Sequence, residues 1–426
     1  MNSSVHDLAQ PFNIGPRVQH LADYADSGQA LIEEQLLGVA NARVLLANYA
    51  AIRADFGALW GSCADTSGHA EIDRWLLHNA AFISSSQAAA QGISTPISLD
   101  GRRMPAWRPP RYGRAAVLCL PSSDKVLFDV KGIGVPPDEA PVLPHSNGLL
   151  TLAEAVHEVL MEHLVLAAMT HAKEAITPLP TYAVIDLGFD ALWHDGRPPE
   201  PAVLLLRRPC TRPRCQWQRY WQGAELAGAL MQTELLLRRY GLTASSCGAV
   251  RFQVSHENGK LQVERDGATL KVSNQVTKTL EQILANNQGK PLVIDGVNVQ
   301  LAGQSSAAPL QLQIMDFGRY RFAEHFDHHL YAWIDADYQS LNGLHLAPDH
   351  PHYIQPDPLL SLAKIVEGTA FAALQQHLRD FRQKPGADEL CQALRAVLTD
   401  ACRSLHSAPR RRQKGTAFVI PDTKPP

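Results

Sequence analysis

Sulfur is sparse in this chain. Seven cysteines are scattered over 426 residues, an odd, widely spaced set that excludes a disulfide framework as the basis of the fold. Cys210 and Cys215 are separated by four residues and have no second pair to complete a zinc site, so structural thiols are expected. No run approaches 18 apolar residues free of charge, which excludes a membrane-spanning helix; LVLAAM and LEQILANNQ are far too short. The opening MNSSVHDLAQPFNIG lacks a basic start followed by an apolar run, so no secretory signal is expected. An excess of one charge is also lacking. Lys and Arg number 39, Asp and Glu 42, for a net charge of -3, so nucleic acid is not the default partner. No internal repeat is evident. These absences point to reducing cytoplasm, with neither membrane nor nucleic acid as partner.

What is present is ample for a core: 45% of residues are hydrophobic and 19% charged. The length suggests two or three domains, or one large two-lobed domain. Residues 21–60 carry helical periodicity through Ala30, Leu31, Leu36, Leu37, Val44, Leu46 and Ala50. Another helix is expected over 70–90. Residues 90–112, rich in Gly, Pro and Arg, read as loops. RAAVLCL at 114–120 and VLFDVKG at 126–132 flank a turn and predict a β-hairpin. A Pro- and Gly-rich loop leads to a helix over 152–169. Strands are expected at 180–187 and 202–207, and a helix at 223–240. A hairpin follows at 249–272, then a helix at 275–287. LVIDGVNVQLAG at 292–303 and LQLQIMDFG at 310–318 read as paired strands. Helices at 357–380 and 387–404 precede a flexible tail from Ser407.

Lys131 ends a predicted strand, and the helix that follows carries Glu154, Glu158 and Glu162, four apart on one face. Much later a strand delivers Asp316 in IMDFG. A strand lysine, a helix glutamate and a strand-end Asp-Phe-Gly form the recurrent device by which protein kinases hold ATP. The lysine neutralises phosphate oxygens, the glutamate steadies the lysine, and the aspartate can hold a divalent ion that bridges the phosphates.

The stretch from about Pro110 to Ala372 resembles the SelO family, protein-kinase-like AMP transferases. YGRAAVL at 112–118 and VKGIG at 130–134 are similar to that family's Gly-Arg-Ala strand and Leu-Lys-Gly-x-Gly segment. His157-Glu158-Val159-Leu160 resembles its Arg-Glu-Phe-Leu, which singles out Glu158 as the partner of the lysine. Pro180-Thr181 resembles a Pro-Thr dipeptide, and AVLLLR at 202–207 a strand ending in arginine, giving Arg207, with Arg208 as the register alternative. Asp316-Phe317-Gly318-Arg319-Tyr320-Arg321-Phe322, followed by Asp327, is similar to Asp-(Tyr/Phe)-Gly-Pro-(Phe/Tyr)-Gly-Phe. PDPLLSLAKIVEG at 356–368 resembles a later helix. The resemblance implies an α+β, two-lobed protein-kinase-like fold of SelO type. It implies ATP with Mg²⁺ or Mn²⁺, and transfer of AMP to a hydroxyl of a protein, peptide or small molecule. Gly113, Arg114, Lys131, Gly132 and Arg207 would hold nucleotide, and Arg114 and Arg207 would grip phosphates with planar forks.

The chain departs from that pattern before Asp316. The family places a metal-binding asparagine nine residues before the aspartate; here that position is Ala307. Asp295-Gly296-Val297-Asn298-Val299-Gln300 stands further back, so Asn298 or Gln300 would have to reach the ion across a longer loop. Asp295 is a candidate catalytic base or metal group. The tail lacks the family's terminal cysteine motif. The expected organisation is a mainly helical N-terminal segment over 1–109, a small lobe over 110–215, a larger, mainly helical lobe with the metal-binding strand pair over 216–406, and a tail over 407–426. Arg102, Arg103, Arg108 and Arg111 read as a basic approach to the site, a solvated loop first and an anion- or substrate-binding one second, and His325, Asp327, His328 and His329 as solvated or core-satisfied side chains, with substrate contact and then metal as the alternatives.

Overall fold

The computed structural model describes residues 19–22, 31–59, 68–88, 96–108, 113–121, 123–136, 148–172, 177–192, 198–209, 242–244, 251–265, 268–269, 277, 281, 285, 292–295, 299–302, 311–315, 317–322, 369–384 and 386–407. In chain order these form β1 (Ile32–Val39), β2 (Arg43–Ala47), α1 (Tyr49–Phe56), α2 (His69–Ala80), β3 (Phe82–Ile83), α3 (Ser85–Ala88) and β4 (Leu99–Arg108). Next come β5 (Ala115–Cys119), β6 (Val126–Lys131), β7 (Leu150–Thr151), α4 (Leu152–Ala172), β8 (Thr177–Pro178), β9 (Thr181–Ala191) and β10 (Glu200–Arg207). The second half supplies β11 (Leu242–Ala244), β12 (Arg251–Glu257), β13 (Lys260–Arg265), β14 (Ala268–Thr269), β15 (Leu292–Asp295), β16 (Val299–Ala302) and β17 (Gln311–Ile314). A 3-10 turn (Phe317–Arg319), β18 (Tyr320–Phe322), α5 (Thr369–Asp380) and α6 (Ala387–Ser407) complete it.

Nine of these strands share one sheet, in the order β2-β9-β10-β6-β5-β4-β1-β3 with β7 also on β10. Every pairing in it is antiparallel. The β5–β6 hairpin and the β9–β10 pair stand where the sequence placed strands. Three smaller sheets follow: β14-β13-β12-β15, β16-β17-β8 and β11-β18. LVIDGVNVQLAG thus splits. Only its second half pairs with β17, while β15 joins the hairpin at 251–265.

Two expectations for the N-terminal quarter are corrected. Residues 21–60 are not mainly helical: they give β1, β2 and only the short α1. Residues 90–112 are not all loop, since β4 is a ten-residue strand paired along β1. The segment over 1–109 is therefore no helical appendage; β1 to β4 extend the same sheet as β5 and β6. A single buried ion pair masked both strands. Glu34 on β1 sits opposite Ala106, and Arg108 lies two residues further along β4, a diagonal cross-strand neighbour. Arg108 Nε donates to Glu34 Oε2 at 2.7 Å, with both side chains buried. An inward-facing acid and base broke the alternation of apolar residues that marks a strand. Burial holds the Glu34 carboxyl above its usual range, against the lowering pull of Arg108. Arg108 is therefore no part of a solvated basic approach.

One face of the sheet packs on α1 and α2. Tyr49, Ile52, Phe56, Ile72 and Leu76 meet Leu118, Phe128, Val130, Leu204 and Leu206 in one core cluster. Phe56, Trp75, Phe128 and Tyr182 contact one another edge-on or tilted, with ring centroids 5.1–6.1 Å apart. The opposite face, where Lys131 and Arg207 point, is covered by α4. Among the described residues, no helix is long and apolar enough to cross a membrane. Asn298, Asp316, Arg111, the histidines over 325–329, the helix expected at 223–240 and the tail beyond 407 lie outside the described residues.

Candidate functional site

Helix α4 is apolar nearly all round, and from Leu152 to Leu166 only Glu154 is less than fully buried. Such a helix belongs in the interior. Its three glutamates therefore need partners, because an unpaired buried carboxylate is costly. The sheet supplies one for each, a turn apart.

Glu154 receives Arg114 through both guanidinium ends, Nη1 to Oε2 at 3.1 Å and Nη2 to Oε1 at 2.9 Å. Arg114 Nη1 also donates to the Leu149 carbonyl. The same glutamate closes a capping box. Its Oε2 accepts from the Thr151 backbone N–H at 3.0 Å, while its own N–H donates to Thr151 Oγ1 at 3.3 Å. One turn on, Glu158 Oε1 accepts from the Lys131 ammonium in a buried ion pair. Of the three glutamates, Glu158 is the one that takes the strand lysine. A further turn on, Glu162 accepts from the Thr181 backbone N–H at 3.0 Å and from Thr181 Oγ1 at 2.5 Å. Burial pushes its carboxyl up to about 8, ahead of the lowering by Thr181; Glu158 adds to the rise and Arg207 opposes it.

The sheet register explains why these partners converge. Lys131 on β6 lies between Ala115 on β5 and Leu205 on β10. Asp129, two residues back on the same face, lies opposite Arg207. Arg207 Nη2 donates to Asp129 Oδ1 at 2.7 Å, with both side chains buried. A register shift between Leu206 and Arg207 sets Thr181 opposite Arg207 and so under Glu162. Arg208 points the other way. Its Nε and Nη2 donate to Asp55 of α1 at 2.8 and 3.0 Å, and Tyr182 Oη donates to the same carboxylate. Of the two register candidates, Arg207 is the one that shares the Lys131 face.

Gly132, next to Lys131, has φ +102°, and a Cβ there would stand 2.6 Å from the Val203 carbonyl oxygen. Only glycine fits that turn. Arg108 secures the two glycine turns that flank the site: its Nη1 donates to the carbonyls of Gly113 and Gly134, both at 2.9 Å. The sequence reading missed this role. A basic residue spaced two from buried Ala106 and Met104 on an alternating run was the available signal.

The segment around Asp316 arrives from the second half of the chain. β17 runs parallel to β8, Ile314 beside Pro178, directly after α4. Met315 packs on Leu179. The turn Phe317–Arg319 then packs against α4. Gly318 comes so near Glu158 that a Cβ would lie 3.1 Å from Oε1. Asp295 ends β15 opposite Arg251, and its side chain, like Asn298, lies outside the described residues. Among the described residues, no group of three or more His, Cys, Asp or Glu side chains could hold a metal ion.

Chemically, the site is two ion pairs, Arg114–Glu154 and Lys131–Glu158, beside the Glu162–Thr181 contact. No protein-family model matches this chain, and no curated protein matches it significantly.

Proposed function

We propose that this protein is an ATP-dependent nucleotidyltransferase of protein-kinase-like, SelO type that moves AMP to a hydroxyl of a protein, peptide or small molecule. The observation that carries the reading is the buried Lys131–Glu158 pair, with Gly318 of the Asp-Phe-Gly segment seated against the same carboxylate. A lysine steadied by a carboxylate loses little freedom when phosphate oxygens arrive. Its charge offsets the negative charge that builds on those oxygens as the reaction proceeds. Gly113 and Gly132 supply turns close to the phosphates, and Arg207, on the Lys131 face, supplies a second cation.

The step is an in-line displacement. The acceptor hydroxyl oxygen forms a bond to the α-phosphorus, and the bond from that phosphorus to the α–β bridging oxygen breaks. Pyrophosphate leaves with the bonding pair, and the hydroxyl proton passes to a carboxylate, for which Asp295 is the candidate. Asp316 and Asn298 are the residues that would hold Mg²⁺ or Mn²⁺, an ion that supplies charge neutralisation and phosphate alignment when bound.

One observation favours a second reading. Arg114 is closed through both ends on Glu154, and Arg207 is bonded to Asp129. If both arginines stay so engaged, they do not hold the triphosphate with its α-phosphorus toward the acceptor. Ordinary γ-phosphoryl transfer, or ATP binding without transfer, then follows. ATP labelled at the α or γ position separates these. Retention of α label on the acceptor with release of pyrophosphate is the expected result. Transfer of γ label with release of ADP would establish the kinase reading, and tight binding without turnover the binding one.

A further inference from the structure

Helix α4 has no face suited to water, yet the sheet covers only one side of it. Beside the Phe317–Arg319 turn, the far end of the chain adds cover, because α6 packs against α4 and also against β2. α5 and α6 form a hairpin whose inner side is Phe371, Leu374, Leu378, Leu390, Leu394 and Val397, all buried. At its turn, Phe381 is buried beside Arg43 and Arg382, their guanidinium carbons 5.1 and 5.8 Å from the ring centroid.

Arg382 fastens this turn to β9. Its Nη1 donates to Asp186 Oδ2 at 3.0 Å, its Nε to Asp190 Oδ1, and its Nη2 to the Phe189 carbonyl at 2.7 Å. Asp186 is buried and also accepts from Arg43 Nε at 3.1 Å and from the Gly188 N–H at 3.0 Å. One planar fork thus reaches three acceptors on a single strand, a geometry lysine cannot reproduce. β9 is also the strand whose other end offers Thr181 to Glu162 of α4.

We propose that the C-terminal hairpin is a built-in brace that holds α4, and with it the Lys131–Glu158 pair, in the nucleotide-competent position, with Arg382 as its positioning residue. The proposal rests on the ATP reading for its consequence, and on the packing alone for its mechanism. Kinase-like sites depend on the placement of the helix that carries the glutamate. Here that placement is set within one chain, by a segment some 200 residues downstream of the helix.

The test compares the full-length protein with Arg382→Ala and Arg382→Lys, by amide hydrogen exchange and by Mg-ATP binding. Arg382→Ala is expected to speed exchange selectively over 152–172, leaving β1 and β4 as protected as before. It is also expected to weaken Mg-ATP binding about tenfold, and Arg382→Lys to recover part of both effects. Unchanged exchange in α4 would overturn the brace. So would an equal rise throughout the sheet, which marks general destabilisation, and so would loosened α4 with unaltered Mg-ATP affinity. A wild-type protein that binds no Mg-ATP sinks the nucleotide reading instead, and the exchange pattern alone then decides the brace.

Discussion

Glu158 is 2% exposed, and its position beside Lys131 is a statement about cost as well as function. Truncating Lys131 leaves a buried carboxylate without its cation. Lys131→Ala is therefore expected to abolish nucleotide binding and also to lower stability by about 3–5 kcal/mol. Lys131→Met with Glu158→Leu removes both charges and restores most of that stability without restoring binding. Urea unfolding alongside Mg-ATP titration separates the two effects, and a double variant that binds nucleotide normally would remove Lys131 from the site. Glu162 makes a pH prediction. Its carboxyl is raised from 4.5 to about 8 in the folded protein, so the native state holds the proton more tightly than the unfolded chain does. That contribution is fully present below pH ~4.5, declines as pH rises and is lost above pH ~8. In Glu162→Gln, the amide can accept from the Thr181 N–H and donate to Thr181 Oγ1, so its unfolding midpoint is expected to be flatter across this window and higher than wild type at pH 8.5. A parallel decline in both proteins would show that another group governs it. At this scale the sequence was informative where charge repeats at helical spacing: the four-residue ladder of glutamates was legible, whereas the choice of Glu158 among them came from the resemblance alone. The Arg108–Glu34 pair was not legible: the alternating run Met104, Ala106, Arg108 marks Arg108 as inward-facing, but its partner Glu34 lies 74 residues away.

Among the elements, α4 was legible because its start is written locally. Thr151 and Glu154 form a reciprocal cap of the Ser/Thr-x-x-Glu kind. Thr151→Ala is expected to cost about 1 kcal/mol. Glu154→Ala also strips Arg114 of a two-point buried partner and is expected to cost about 3 kcal/mol. Glu154→Gln, which keeps the cap, falls between, and equilibrium unfolding ranks the three. If Glu154→Ala costs no more than Thr151→Ala, then Arg114 is not held by Glu154 in solution. The β5–β6 and β9–β10 strands were legible for a similar reason, as apolar runs bounded by Pro, Gly and Asp turns. β1 and β4 were not. Leu36 and Leu37 adjoin, so the doublet fits a helical stripe as well as a strand. In β4, Gly101, Pro105 and the adjacent Arg102 and Arg103 hide the inward series Met104, Ala106 and Arg108. Pairing with β1, a long-range contact, and with β5 turns those residues into a strand.

For the whole molecule, the consequential error of the sequence reading is the boundary near residue 109. Pro109 to Tyr112 separate a Gly- and Arg-rich stretch from an apolar hairpin, and composition alone makes that a natural cut. The sheet runs straight across it. β4 hydrogen-bonds β5, with Ala106 opposite Leu118, and β2 hydrogen-bonds β9, with Ala47 opposite Ala183. N-terminal strands therefore flank the β9-β10-β6-β5 block on both sides. A chain beginning at residue 110 would expose the edges of β5 and β9, each an open row of unpaired backbone groups. It would also bare the face of Phe128, Val130, Tyr182 and Leu206 that α1 and α2 cover, a large contiguous apolar patch. Lys131 and Glu158 are both inside such a fragment, so a self-sufficient small lobe would still bind Mg-ATP. The structure leads to the opposite expectation. Residues 110–426 expressed alone should be aggregated or lack a cooperative thermal transition, and adding residues 1–109 as a separate chain should restore solubility and nucleotide binding together. A soluble, cooperatively unfolding fragment that binds Mg-ATP with the affinity of the full chain would show that the N-terminal strands decorate the sheet rather than complete it.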